Sequence, residues 1–157
     1  MMKCECCGVD IGEISFDKSF KMPDEIWALS PTEREARAKI DSDLCQLDDR
    51  FFIRGVAYIP VKKTDKYYGW GIWAEIPEDN FFEYVANYDL DNSSCPRFLG
   101  TVANQISCYD NTLNLKLEVQ LGNETQRPTL FFIDPKHPLS TEQESGITLE
   151  KVHSFQK

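Results

Sequence analysis

The stretch from residue 51 to residue 76 constrains the fold more than any other part of the chain. Phe51-Phe52-Ile53-Arg54-Gly55-Val56-Ala57-Tyr58-Ile59-Pro60 is rich in strand formers and apolar at both alternating sets of positions, the pattern of a strand covered on both faces. Five polar residues, Lys62 to Lys66, read as a hairpin connection to a second strand over 67–76. In that strand Tyr68, Trp70, Ile72, Ala74 and Ile76 share one face, while Gly69, Gly71 and Trp73 fall on the other. A second hairpin follows later. Leu113, Leu115, Leu117, Val119 and Leu121 alternate with polar residues, Gly122-Asn123 turns the chain, and Thr129–Ile133 returns before Asp134-Pro135. A further strand is expected over 98–103.

Helices are fewer. Ser30-Pro31-Thr32-Glu33 combines a capping serine, a proline suited to the first helical position and a capping-box glutamate, which predicts a helix over 31–40. Pro77-Glu78-Asp79 opens another, with Phe81, Tyr84, Val85 and Tyr88 at helical spacing as a buried stripe. Thr148, with Leu149, Val152 and Phe155 behind it, reads as the cap of a short closing helix. Strands arriving in hairpin pairs rather than alternating with helices predict an α+β fold, an antiparallel sheet built from hairpins with helices packed on it. Without internal repeats or a linker, residues 1–157 read as a single domain.

The charge balance narrows the partners. Lys and Arg number 17 against 26 Asp and Glu, giving a net charge of −9, which argues against nucleic acid or an anionic membrane surface and fits a basic protein partner. No apolar run is long enough for a spanning helix or a signal peptide, so a cytoplasmic location is expected. In that compartment the six cysteines, at positions 4, 6, 7, 45, 95 and 108, are expected as thiols or metal ligands.

Cys4-Glu5-Cys6-Cys7-Gly8 forms an amino-terminal Cys-x-x-Cys knuckle at 4–8, in which a tight turn can bring two thiolates to one zinc. A structural site needs four ligands, and no second such pair exists downstream. The alternative is thiols that pack or lie free. A dithiol redox site would sit between a strand and a helix, which this position does not offer. Only His137 and His153 could serve a thiol–imidazole nucleophile. Arg54 stands in an apolar strand and must meet an acceptor if buried, with Asp43, Asp48 and Asp49 as candidates; it reads as a structural ion pair or as an anion-binding group. Trp73, on the glycine side of its strand, could line a groove where a ligand or another backbone approaches.

Taken in order, Cys4-x-x-Cys7-Gly8, Ser42-Asp43-Leu44-Cys45, Phe52-x-Arg54-Gly55, Ile59-Pro60, Gly69-Trp70-Gly71-x-Trp73 and His137-Pro138-Leu139 resemble the bacterial family called domain of unknown function 2199. The resemblance spans nearly the whole chain. It implies a bacterial cytoplasmic protein and adds weight to Cys4, Cys7, Cys45 and His137 as a zinc-ligand set. A histidine shortly after the knuckle belongs to the family's pattern, and Asp10-Ile11-Gly12-Glu13 lacks one here. The resemblance carries no activity. Two functions are therefore expected. The first is a non-enzymatic cytoplasmic interaction protein, with zinc as a structural cofactor, one version being an immunity-type inhibitor of a basic partner. The second is a metal- or thiol-dependent enzyme using cysteine and His137.

Overall fold

The hairpin read from residues 51–76 is the longest ladder of the molecule: β4 (Arg50–Pro60) pairs antiparallel with β5 (Tyr67–Ile76) from Phe51↔Ile76 to Pro60↔Tyr67. The computed structural model describes residues 15–156. From β5 the chain passes through α3 (Glu78–Ala86) into β6 (Phe98–Val102), β7 (Lys116–Gln120) and β8 (Thr129–Phe132), each antiparallel to the strand before it. Five strands that run up and down in turn leave the first and last pointing the same way. Closure must therefore be parallel, and β8 pairs with β4 at Val56↔Thr129.

This closure corrects the expected α+β sheet. The architecture is a closed five-stranded barrel, β4-β5-β6-β7-β8, with extra strands outside it. Short β1 (Asp17–Ser19) adds parallel to β5, and the hairpin of β2 (Ala38–Ile40) and β3 (Leu44–Leu47) adds to the first half of β4. The helices α1 (Asp24–Trp27), α2 (Pro31–Arg37), α3, α4 (Pro138–Ser145) and α5 (Leu149–Ser154) are at most nine residues long, too short to form a layer against a sheet. What the hairpin pattern could not convey is the β4–β8 pairing across some seventy residues of chain.

The barrel interior takes Ile53, Ala57 and Ile59 from β4, Tyr68, Trp70, Ile72 and Ala74 from β5, and Leu117, Val119, Leu130 and Phe132 from β7 and β8. One end is filled by Phe81 of α3, its ring centroid 4.8 Å from that of Phe51 and tilted by 41°, and the other by Phe155, 5.0 Å from Tyr68 and 5.1 Å from Trp70. The double apolar pattern of β4 has its cause outside the barrel, where Phe52 joins Trp73, Ile26, Cys45, Leu47 and Ala103 in a second, smaller core.

Local expectations meet mixed outcomes. Ser30 caps α2 by accepting the Glu33 N–H, and Thr148 caps α5 by accepting the Lys151 N–H. Helix α2 ends at Arg37, short of the expected residue 40, because residues 38–40 leave it to pair with β3. In α3 Phe81 and Tyr84 are buried, but Val85 and Tyr88 are exposed, since the helix stops at Ala86 and Tyr88 turns to Asp43.

Candidate functional site

The seam between β4 and β8 is where the barrel opens. The two strands share one register pair, with the Val56 N–H donating to the Pro128 carbonyl at 2.9 Å. Gly55 permits that approach: a Cβ there would stand 2.8 Å from both Leu130 Cγ and the Pro128 oxygen. Beyond it the strands are bridged by the Gln143 side chain of α4. Its Nε2 donates to the Leu130 carbonyl at 2.8 Å and more distantly, at 3.5 Å, to the Tyr58 carbonyl, while its Oε1 accepts the Phe132 N–H at 2.8 Å. One amide side chain thus satisfies backbone groups of both strands.

α4 is held in place by His137. The imidazole Nδ1 accepts the Leu139 N–H at 3.1 Å as the helix cap. Nε2 therefore carries the ring hydrogen and donates to the Asp110 carbonyl at 2.8 Å. A carboxylate on the same helix, Glu142, accepts from the Tyr109 hydroxyl at 2.5 Å and pairs with Lys151 of α5. Burial, followed by the Glu142 hydrogen bond and charge, pushes the Tyr109 phenol far above its usual range.

Outside the seam lies a groove of about 740 Å³, within the range of ligand sites. Its walls are Tyr58, Tyr67, Phe131 and the α4 residues Ser140, Gln143 and Glu144. Tyr58 and Tyr67 are 47% and 58% exposed and meet edge to face with ring centroids 6.4 Å apart. Ser140 Oγ is buried without a hydrogen-bond partner. Among the described residues Glu144 is the only Asp, Glu, Lys or Arg in the lining. The Arg97 guanidinium carbon sits 4.0 Å from the Phe131 ring centroid.

A second, more polar cleft of about 320 Å³ surrounds Asp43. The carboxylate accepts from Arg127 Nε at 2.8 Å and from the Tyr88 hydroxyl at 2.8 Å. Burial alone would push the Asp43 carboxyl up, but the hydrogen bonds from Arg127 and Tyr88 and the Arg127 charge outweigh it and hold it below its ordinary value.

The residues singled out from sequence fall in separate places. Cys4 and Cys7 lie outside the described residues. Cys45 is 1% exposed in the smaller core, and burial, with the Asp41 charge adding, pushes its thiol up to about 12. His137 packs by Tyr109 and Leu139, on the main core. The structure does not bring Cys45 and His137 into one cluster, and both ring nitrogens of His137 are already engaged by main chain. Among the described residues no three His, Cys, Asp or Glu side chains converge as a metal site. Arg54 donates through Nη1 to the Ser42 carbonyl at 3.2 Å and lies 6.0 Å from the Trp73 ring centroid, while its buried Nε has no acceptor. Its expected partner Asp43 is bonded to Arg127 and Asp48 to Arg37; desolvation, then the nearby Arg127 charge, lowers the Arg54 pKa. Trp73 is wholly buried and donates its indole N–H to the Phe20 carbonyl at 2.9 Å. The space beside Gly71 is occupied by β1, whose Ser19 Cα would be 3.3 Å from a Cβ there.

The groove residues were not singled out in the sequence. Tyr58 carries a faint signal, an aromatic ring on the outward alternation of a strand next to a hairpin, whereas nothing in the local pattern marks Ser140, Gln143 or Glu144.

An up-and-down barrel of five strands with an aromatic groove at its parallel seam places the chain among small β-barrel proteins. It belongs to the family described as an uncharacterized protein conserved in bacteria, DUF2199, whose model matches residues 3–147. Searches of curated proteins and of solved structures returned no match. Among the described residues no helix is long and apolar enough to cross a membrane.

Proposed function

We propose that this chain is a non-enzymatic, cytoplasmic binding protein that docks a basic protein through the seam groove. The observation that carries the reading is the composition of the groove, exposed tyrosines with, among the described residues, one carboxylate and no cationic side chain in the lining, on a chain of net charge −9. An extended basic segment offers both the charge and the apolar stems that such a surface accepts. Inhibition of a basic toxin by surface masking is one form this activity would take.

Titration calorimetry with a peptide of alternating lysine, arginine and glycine tests the reading. The double variant Tyr58→Ala, Tyr67→Ala is expected to bind about tenfold more weakly, a loss of two aromatic contacts. Glu35→Gln, which removes an exposed charge on α2, is expected to change affinity less than about twofold. Equal effects of the two changes, or no binding by the native chain, would overturn it.

A further inference from the structure

The guest of the groove can be specified further on the reading that it binds a basic partner. We infer that the groove is built to hold an arginine side chain, presented by an extended segment, with its guanidinium against the Tyr58, Tyr67 and Phe131 rings and paired to Glu144. The chain itself shows that these rings accept a guanidinium, since the Arg97 guanidinium carbon lies over the Phe131 ring, 4.0 Å from its centroid. A guanidinium is planar and weakly hydrated, so it stacks on aromatic faces at less desolvation cost than an ammonium. The Tyr58 and Tyr67 rings stand at 83° to one another, so a guest that stacks on one meets the edge of the other.

Charge selects the same guest. Glu144 is exposed and, unlike its neighbour Glu142, is bonded to no cation among the described residues, so its carboxylate is open to the two parallel N–H donors of an incoming guanidinium. The groove volume, about 740 Å³, exceeds one arginine side chain, which leaves room for the flanking backbone of a segment rather than a free amino acid.

The test uses the full chain, labelled with nitrogen-15, and a Gly-Ser nonapeptide carrying one central arginine, followed by amide shifts. The citrulline peptide is the control, because citrulline keeps the shape and removes the charge. The arginine peptide is expected to shift the amides of residues 58, 67, 131, 140 and 144 saturably, and the citrulline peptide to bind about tenfold or more weakly. Glu144→Gln is expected to bring the arginine peptide close to the citrulline value; a dispersed spectrum confirms that the variant is folded. Equal arginine and citrulline affinities, shifts scattered over the acidic surface, or no shift at millimolar peptide would each overturn the assignment. If that happens while the lysine–arginine peptide still binds in a manner sensitive to Tyr58 and Tyr67, the arginine pocket fails and the binding-protein reading survives. Loss of both fails the reading itself.

Discussion

Burial, more than residue type, decides what individual side chains of this barrel can do, and Cys45 illustrates it. A thiol that is 1% exposed and pushed up to about 12 is neither a nucleophile nor a ready thiolate at neutral pH. Alkylation with iodoacetamide at pH 8, mapped by peptide mass spectrometry, is expected to label exposed Cys108 while leaving Cys45 unmodified until the chain is denatured. Labelling of Cys45 at a comparable rate would contradict its placement. Asp43 gives the corresponding prediction in acid. Its carboxyl is held below the ordinary value by Arg127 and Tyr88, so it contributes stability above the unfolded value of about 3.9 that is lost as pH falls through the folded one. Asp43→Asn should cost about 1–2 kcal/mol at pH 7, a gap that narrows below about pH 4 in urea unfolding. A gap that widens in acid would reverse the sign. Sequence could name Arg54 as an arginine in need of an acceptor, but not that Arg127, from a loop 84 positions beyond Asp43, takes the carboxylate first.

At the scale of elements, local signals worked where their causes were local. Ser30 and Thr148 cap the helices they precede, because a cap depends on atoms three residues away. The alternation in 115–121 gave the buried face, since a half-buried strand writes its environment in every second residue; strand 67–76 is covered on both faces, so its apolar alternation marked the barrel side while Trp73 opposite is buried in the smaller core. Helix α4 escaped notice because His137, rather than Ser, Thr, Asp or Asn, caps it. Its importance lies in Gln143, which takes over hydrogen bonds that a strand backbone would supply. Gln143→Ala should strand the Phe132 N–H and the Leu130 carbonyl and destabilise the barrel by about 2–3 kcal/mol, or roughly 5–10 °C in melting temperature. Gly55→Ala, which forces a Cβ into Leu130 and Pro128, should be destabilising as well. Unchanged thermal melts for both variants would show that the seam is not closed in this way.

For the molecule as a whole, topology was the part that sequence could not convey. The hairpins and the core faces of β5 and β7 were readable, yet the same strands can lie in an open sheet or curl into a barrel, and the pairing of Val56 with Thr129 distinguishes the two. That pairing joins segments whose local patterns are independent of each other. The groove inherits this invisibility, because it draws Tyr58 and Tyr67 from one hairpin, Phe131 from another and Ser140, Gln143 and Glu144 from a helix that closes the seam. Cysteine, histidine and arginine are the chemistry-bearing residue types that stand out in the sequence, whereas the seam groove is lined by aromatic rings, amide and hydroxyl side chains and one carboxylate among the described residues. In the proposed function this seam, and not the acidic surface at large, is where a basic partner docks. Hydrogen exchange on the full chain with and without the lysine–arginine peptide tests it most directly. Protection concentrated in residues 58–60, 67, 129–132 and 138–144 is the predicted result; protection spread over the acidic surface, or centred on the Asp41–Asp49 hairpin, would contradict it.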